Sequence, residues 1–518
     1  MKQQIGESNG FNLQAFSSDV LIYSFGQALL LIFGFIQSLI IPKYLSTTDY
    51  GYWQLFLLYT TYVGILHLGF LDGILVRWAG KDFEAFREEI PTTFRFILLE
   101  QGVTVGILIM IVGLVDISYK EIALAVLVNA IIVNLLTFFL FTAQAAKRFK
   151  LVTAVNIGRG LLFIIFVLLI LFSGYFSYFS VILATMATGI TIVFLFIFNS
   201  RDCLFYHTTD RKSLLQYGKE NIGIGIFVLL GNFTALIFAT IDRLTIGSFF
   251  PITQFAVYTF AMTMCGLATI FLQAVSQVFF PYLSGSSAKT RTKAYDLLKS
   301  ALVIFWAGVL AAYFPFSVGI KYYLPQYSDS LPLMAILLCT IGFSGQINIL
   351  HANFFKVYRK QRTYFVLAEA SLIGAVALNL LSVYLFGTLT AVAATAVVSF
   401  SLWYLLNEVA LLHLVAGSAR KIVRWVLVTG AYIGAFLGAN TVAETWVIGF
   451  GIYGMLFIGI TTICLQQETE QFWSIIHEVI MLNPIFCTCM QKYHLFSRYS
   501  NKLKTEFKLD EIIKQIGK

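Results

Sequence analysis

Asp242 and Arg243 stand side by side near the end of a long apolar run that starts near Asn221 and holds no other charge. Ionisable side chains inside such a run are expensive, and they are kept where they bind, carry ions or pair. Arg77 closes the second apolar run, five residues after Asp72, and Arg159 lies in the fifth with Asn156 about one turn before it. Arginine holds phosphate through a rigid, two-pronged set of N–H donors. Three such residues facing inward would suit a pyrophosphate head group whose hydrocarbon tail stays in lipid. For Arg159, near an edge, snorkelling toward water is the competing reading. Asp242, Asp72 and Glu369 are the acids placed to exchange H⁺ or Na⁺. Asp242 also has a simpler role, neutralising Arg243 and holding the helix end. Glu100 lies at similar depth, and Glu408 is near enough to a loop to be structural. His67 and His351 are lone histidines in apolar runs, which fits packing.

Those side chains must be positioned by a membrane-embedded framework. The chain of 518 residues is 58% hydrophobic and 12% charged. Its mean hydropathy is +0.82. In lipid the backbone must bond to itself, which leaves helices or a closed barrel. The apolar runs are about 20 residues long, the length of a helix crossing a bilayer and twice that of a barrel strand. The expected fold is therefore an all-α polytopic membrane protein. Fourteen spans are expected, near 18–41, 52–76, 94–115, 121–143, 153–173, 177–199, 221–247, 253–281, 300–320, 331–354, 364–386, 388–412, 422–440 and 445–465. The polar first 16 residues lack a basic segment, so no cleaved signal peptide is expected.

Loop charge alternates. One set of connections carries Arg77 to Arg95, Lys147 to Lys150, Arg201 to Lys219, Lys289 to Lys299, Lys356 to Arg362 and Arg420 to Arg424; the other carries only Lys43, Lys120 and Lys321. The positive-inside rule puts the first set, and both termini, in the cytoplasm. It also accounts for the net charge of +9 without any nucleic-acid partner. No phosphate-binding glycine loop, metal cluster or nucleophile triad is present, and Cys487-Thr-Cys489 is too isolated for a metal site. No loop is long enough for a catalytic domain. An enzyme, a cofactor and a metal are all unexpected.

Two halves echo each other. Ile41 to Leu45 lies over Ile246 to Phe250, Tyr50 to Trp53 over Phe255 to Tyr258, and Gly26-Gln27 over Gly231-Asn232, at an offset of about 205. Lys147-Arg148-Phe149-Lys150 resembles Arg359-Lys360-Gln361-Arg362 at a slightly larger offset. Two six-helix lobes in parallel orientation follow, with substrate expected between them. The expected division is 1–17 N-terminus, 18–205 N-lobe, 213–415 C-lobe, 420–466 two extra spans, and 467–518 an interfacial helix and basic tail. Asn221, Gly225, Val228, Asn232, Ala235, Ala239 and Asp242 share one helix face, a stripe suited to a neighbouring helix or a wet cavity. Gln27 belongs to the equivalent stripe of the first span. Gln27, Asn232 and Asn156 are therefore candidate polar contacts, with interhelical bonding as the alternative.

Leu39 to Trp53, Leu68 to Arg77 and Ile241 to Gly247 resemble, in order and spacing, segments of bacterial polysaccharide-biosynthesis membrane proteins. These are the O-antigen and repeat-unit flippases of the multidrug/oligosaccharidyl-lipid/polysaccharide (MOP) exporter superfamily. One departure is Phe255-Ala256-Val257-Tyr258, where the family often has a glycine before the tyrosine. The resemblance implies two six-helix lobes in a V, alternating access in a bacterial inner membrane, and flipping of an undecaprenyl-pyrophosphate-linked oligosaccharide. It implies substrate contact at Arg77 and Arg243; Arg159 comes from the buried-charge argument alone. Expected partners are that lipid-linked oligosaccharide, H⁺ or Na⁺, and polysaccharide polymerase or chain-length proteins. A cation-coupled multidrug exporter and a lipid II flippase on the same scaffold are the alternatives.

Overall fold

A computed structural model describes residues 32–79, 81–205, 213–284, 288–415 and 417–466, with isolated positions 29, 468 and 470; side chains are not described at 270–290 and 293. Gln27, Cys487, Cys489 and almost all of the expected tail fall outside these residues. The chain is a multi-pass, all-helical membrane protein. Among the described residues, twelve helices are long and apolar enough to cross a bilayer, or 13 if one bent pair counts as a span. Only Ile32–Tyr44 (α1) represents the first of the fourteen expected spans.

The second span is α2 (Thr47–Thr60) and α3 (Phe70–Trp78), bent by 65° across a short 3₁₀ segment. The next four are α4 (Ile90–Leu114), α5 (Lys120–Ala145), α6 (Phe149–Ser173) and α7 (Tyr178–Leu204). The seventh is also broken, into α8 (Leu214–Phe238) and α9 (Ile241–Phe249). Then come α10 (Ile252–Ser284), α11 (Ala288–Tyr323), α12 (Ser330–Val357), α13 (Gln361–Phe386) and α14 (Leu389–Leu411). The last two are α15 (Ala419–Val442) and α16 (Trp446–Cys464).

Span positions agree with the hydropathy pattern, and local chemistry sets the ends. Ser46, Ser177, Ser213, Thr388, Ser418 and Thr445 each accept a backbone N–H in the first turn of the helix that follows. Three breaks were not expected. In the second span Leu68 and Gly69 both adopt positive φ, and Gly69 tolerates this without a Cβ penalty. In the seventh, Thr240 Oγ1 donates to the Leu236 carbonyl (2.7 Å), a local bond that competes with the helix ladder. In α12, Gln346–His351 winds as a π-helix, a form found mostly as short bulges at functional sites.

The halves repeat in geometry as well as in motif. α5 packs on α7 and α6 on α7; α12 packs on α14 and α13 on α14. α2 packs on α5 as α10 packs on α12. The turns match atom for atom. Lys147 and Arg359 both take left-handed φ, at 57° and 54°. Arg148 N–H bonds to the Ala143 carbonyl and Lys360 N–H to the Phe355 carbonyl, each at 2.8 Å. This is the six-to-one closure of a Schellman helix end. Gly174 and Gly387 end α6 and α13 in the same left-handed form. The final pair docks on the second half: Tyr453 OH donates to the Ala307 carbonyl and Lys421 pairs with Asp296, each at 2.8 Å, while Arg424 of α15 donates to the Cys464 carbonyl of α16 at 2.6 Å.

A left-handed residue with a Cβ costs roughly 1–2 kcal/mol. Lys147→Gly and Arg359→Gly should each stabilise the detergent-solubilised protein by about 1 kcal/mol. A thermal unfolding scan checks this, with Lys150→Gly, inside α6, expected to destabilise.

Candidate functional site

The seam between the halves is where the polar stripe of the seventh span falls. Near the basic loops α3 lies against α8 with backbones in contact. A Cβ on Gly73 would come within 2.0 Å of the Asn221 carbonyl oxygen, and one on Gly225 within 2.0 Å of the Gly69 carbonyl oxygen. Only glycine permits that approach, the small-residue packing that holds helices together in lipid. At the opposite end α2 meets α10, where a Cβ on Gly51 would come within 2.6 Å of the Ile252 carbonyl oxygen. Tyr50 packs edge-on against Tyr327 there, and Lys43 Nζ donates to the Tyr323 carbonyl at 2.7 Å. The seam is closed at both ends.

The basic-loop closure carries a polar latch. Arg77 pairs with Glu89 (3.1 Å), and Trp78 Nε1 donates to the other oxygen of the same carboxylate at 3.1 Å. Tyr217 of α8 donates its hydroxyl to that oxygen at 3.1 Å and sits 2.8 Å from the Thr93 hydroxyl. The Arg77 guanidinium lies 5.3 Å from the centre of the Tyr217 ring. Arg77 is therefore engaged with Glu89 and Tyr217 at the closed end. Asp72 is buried and 3.8 Å from the His67 Nε2, whose Nδ1 accepts the Gly69 N–H.

Midway along, Tyr62 of the first half and Thr240 of the second share a hydrogen bond across the seam, and Phe233 packs edge-on to the Tyr62 ring. Here the charge pair separates. Asp242 accepts the Tyr258 hydroxyl at 2.6 Å and the Arg243 backbone N–H at 2.8 Å. It anchors the start of α9, as the simpler reading expected, but through Tyr258 and the main chain; no ion pair joins it to the Arg243 guanidinium. Arg243 is half-buried, its Nε has no hydrogen-bond partner among the described residues, and it lies within electrostatic reach of Tyr62 and Tyr258.

The remaining candidates are dispersed. Asn221 and Gly225 face α3, whereas Val228, Asn232, Ala235 and Ala239 of the same stripe are exposed. Glu369 of α13 accepts the Thr234 hydroxyl of α8 at 2.7 Å. Arg159 is exposed on α6 and Asn156 half-exposed, next to the stretch where Gly160 presses on Phe33 of α1. Among the described residues, Arg77, Arg159 and Arg243 are not brought together: Arg77 pairs with Glu89, Arg159 is exposed on α6, and Arg243 lies at the break of the seventh span.

A second polar cluster lies outside this seam and went unseen in the pattern. Lys299, expected in a loop, is buried inside α11, because α11 begins three turns earlier at Ala288. Its Nζ is 2.7 Å from Glu408 Oε2, and His351 Nε2 is 2.9 Å from Oε1 of the same carboxylate. Glu408 is thus buried and paired on α14, and His351 does more than fill space. The i, i+4 spacing of Tyr295 and Lys299 was the available clue.

No family model and no curated protein matches this sequence. Solved structures do. The lipid II flippase MurJ in an inward closed conformation superposes with a TM-score of 0.64 at 12% identity, over 86% of this chain and 99% of that one. The chain shares the overall fold of that structure. A chain described only as protein A gives 0.53 at 15% identity, over 80% and 98%. A Vibrio cholerae MATE transporter, VcmN, gives 0.49 at 13% identity, over 78% and 98%. Within this fold the broken second and seventh spans form the closed seam.

Gly225→Leu should prop that seam apart. Spin labels at Val76 and Lys219, both exposed, are expected to report one short distance in the parent and one several ångströms longer in the variant. Tyr217→Phe, which removes a hydroxyl net worth about 1 kcal/mol, should broaden the distribution without abolishing the short population.

Proposed function

We propose that the protein flips a lipid-linked oligosaccharide with a pyrophosphate head group across the bacterial inner membrane for surface polysaccharide assembly. The basic-loop face and both termini are cytoplasmic in this reading. The two lobes, near 18–205 and 213–415, rock about the seam, which opens at one end while the other stays closed. The protein performs no covalent chemistry.

Arg243 carries the proposal. It stands at the break of the seventh span, between two closures, with a donor that no described residue uses. A fixed cation with a spare donor suits an anionic head group. Asp242 is already held by Tyr258, so the cation is not cancelled by its sequence neighbour. Arg77 joins the head group only when the Glu89 and Tyr217 latch opens, which couples substrate contact to opening. Arg159 and Asn156 of α6 and Asn232 of α8 meet the glycan or the first lipid atoms. Glu369 and Asp72 remain the seam-side acids for an ion. The MurJ neighbour favours lipid II as the second reading, since a polyprenyl pyrophosphate would meet the same cation.

Export complementation separates the readings. In a strain lacking this protein, Arg243→Ala is expected to reduce surface polysaccharide at least tenfold at unchanged membrane abundance, and Arg243→Lys to restore part of it. Full activity of the alanine variant would remove Arg243 from the substrate path. Rescue of a lipid II flipping defect, with surface glycan unaltered, would favour the second reading.

A further inference from the structure

A buried acid of the first half has no cation beside it. Glu100 of α4 is 8% exposed and lies about three turns into its helix. Gln101 Nε2 donates to its Oε2 at 2.6 Å and the Thr104 hydroxyl to its Oε1 at 3.3 Å. Both donors are neutral, and no basic side chain stands at ion-pair distance among the described residues. A carboxylate held in an apolar span by neutral donors alone keeps much of its desolvation cost, and such groups mark ion sites.

The acid is joined to a second helix and to the bend of a third. Asn134 of α5 donates Nδ2 to Gln101 Oε1 at 2.8 Å and to the Val63 carbonyl at 3.2 Å. Gln101 and Asn134 are each 0% exposed. Asn134 Oδ1 is buried and accepts from no described residue. A bare amide oxygen inside a span costs stability unless something meets it. Gln101 Oε1 takes one bond and keeps a second lone pair. The cluster thus gathers a carboxylate, two amide oxygens and a hydroxyl. Several oxygens are what a hard cation takes as ligands, whereas a proton needs one. Val63 opens the 3₁₀ segment Val63–His67 at which the second span bends by 65°. Tyr62, just before it, bonds to Thr240 across the seam, and Gly69, just after it, meets Gly225. Discontinuous spans of this kind are where transporters hold Na⁺.

We propose that Glu100, Gln101, Thr104 and Asn134 bind Na⁺ through their side-chain oxygens, and that the bound ion holds the bend of the second span and with it the closed seam. The carboxylate supplies the neutralising charge, and Asn134 Oδ1 gains the partner it lacks. The Asn134 bond to the Val63 carbonyl passes the ion's presence to the bend. Loss of the ion leaves Glu100 uncompensated and loosens that tie. The site is separate from both seam-side acids: Asp72 faces His67, and Glu369 faces Thr234. Its use in transport rests on the reading above; ion binding and its hold on the seam do not.

The test uses the full-length protein in detergent with radioactive Na⁺. The parent should bind Na⁺ that unlabelled Na⁺ displaces and choline does not. Glu100→Gln should lose that binding, and Glu100→Asp should keep part of it. Asn134→Leu should weaken it by about tenfold or more, while Asp72→Asn and Glu369→Gln bind as the parent does. A parent that binds no Na⁺ overturns the site whether or not the variants fold. Unchanged binding in Glu100→Gln, or loss in Asp72→Asn or Glu369→Gln instead, overturns it too. Spin labels at Val76 and Lys219 should show more of the short distance in NaCl than in choline chloride, in the parent and not in Glu100→Gln. Equal distributions in the two salts would overturn the hold on the seam. A parent that exports no glycan would sink the flippase reading, while the Na⁺ result still decides the site.

Discussion

Backbone contact between Gly69, Gly73, Asn221 and Gly225 is the constraint on which the seam depends. Helices in lipid gain nothing from hiding apolar surface, because the tails are as apolar as leucine. Close approach and directed hydrogen bonds must do the work. Bringing α3 this near to α8 requires the second span to turn by 65°, and the left-handed Leu68 and Gly69 supply that turn. The turn in turn leaves Tyr62 at the end of α2 opposite Thr240, where the seventh span breaks as well. The small-residue contact thus goes with the turn of the second span, and the break at Thr240 in the seventh sets the polar groups that face each other between them.

Charge is divided between groups committed to structure and groups left available. Removing one partner of a buried ion pair costs about 3–5 kcal/mol, since the survivor keeps its desolvation penalty. Lys299 and Glu408 are in that position, and Arg77 with Glu89 partly so. Arg243 and Arg159 have no carboxylate at ion-pair distance among the described residues. A cation in an apolar span with no carboxylate partner of its own is held at a cost that an anionic ligand would relieve.

Helix positions, the charge of each loop face and the duplication were legible because each rests on a pattern tens of residues long. Most span ends came within a few residues, α8 and α11 beginning well before their expected starts, and the Lys147 and Arg359 turns coincide to the level of single hydrogen bonds. The breaks were not legible. Leu68-Gly69 reads as any glycine in a membrane helix until the approach of Gly225 is known, and Thr240 looks like many helical threonines. At the site, Asp242 and Arg243 were visible as an adjacent pair, but adjacency on a helix sends side chains about 100° apart. Tyr258 and Tyr62, which actually face them, are distant in sequence. Lys299 was hidden for another reason. It closes a basic run that marks a loop face, and only the unusual length of α11 draws it inside.

That length also sets where charge is screened. α10 has 33 residues and α11 has 36, whereas α4 and α5 have 25 and 26. At ~1.5 Å per residue the longer pair spans roughly 50 Å or more, against about 30 Å of hydrocarbon. The α10–α11 pair therefore reaches past the hydrocarbon on the basic-loop side, and in the first half α4 with the short turns before it makes a comparable run, Phe83–Leu114, of 32 residues. The first turns of α11 therefore lie in water beside α15, where Lys421 pairs with Asp296 at 2.8 Å; salt screens that pair, while the pair of Lys299 with Glu408, about one turn further in, is shielded by burial.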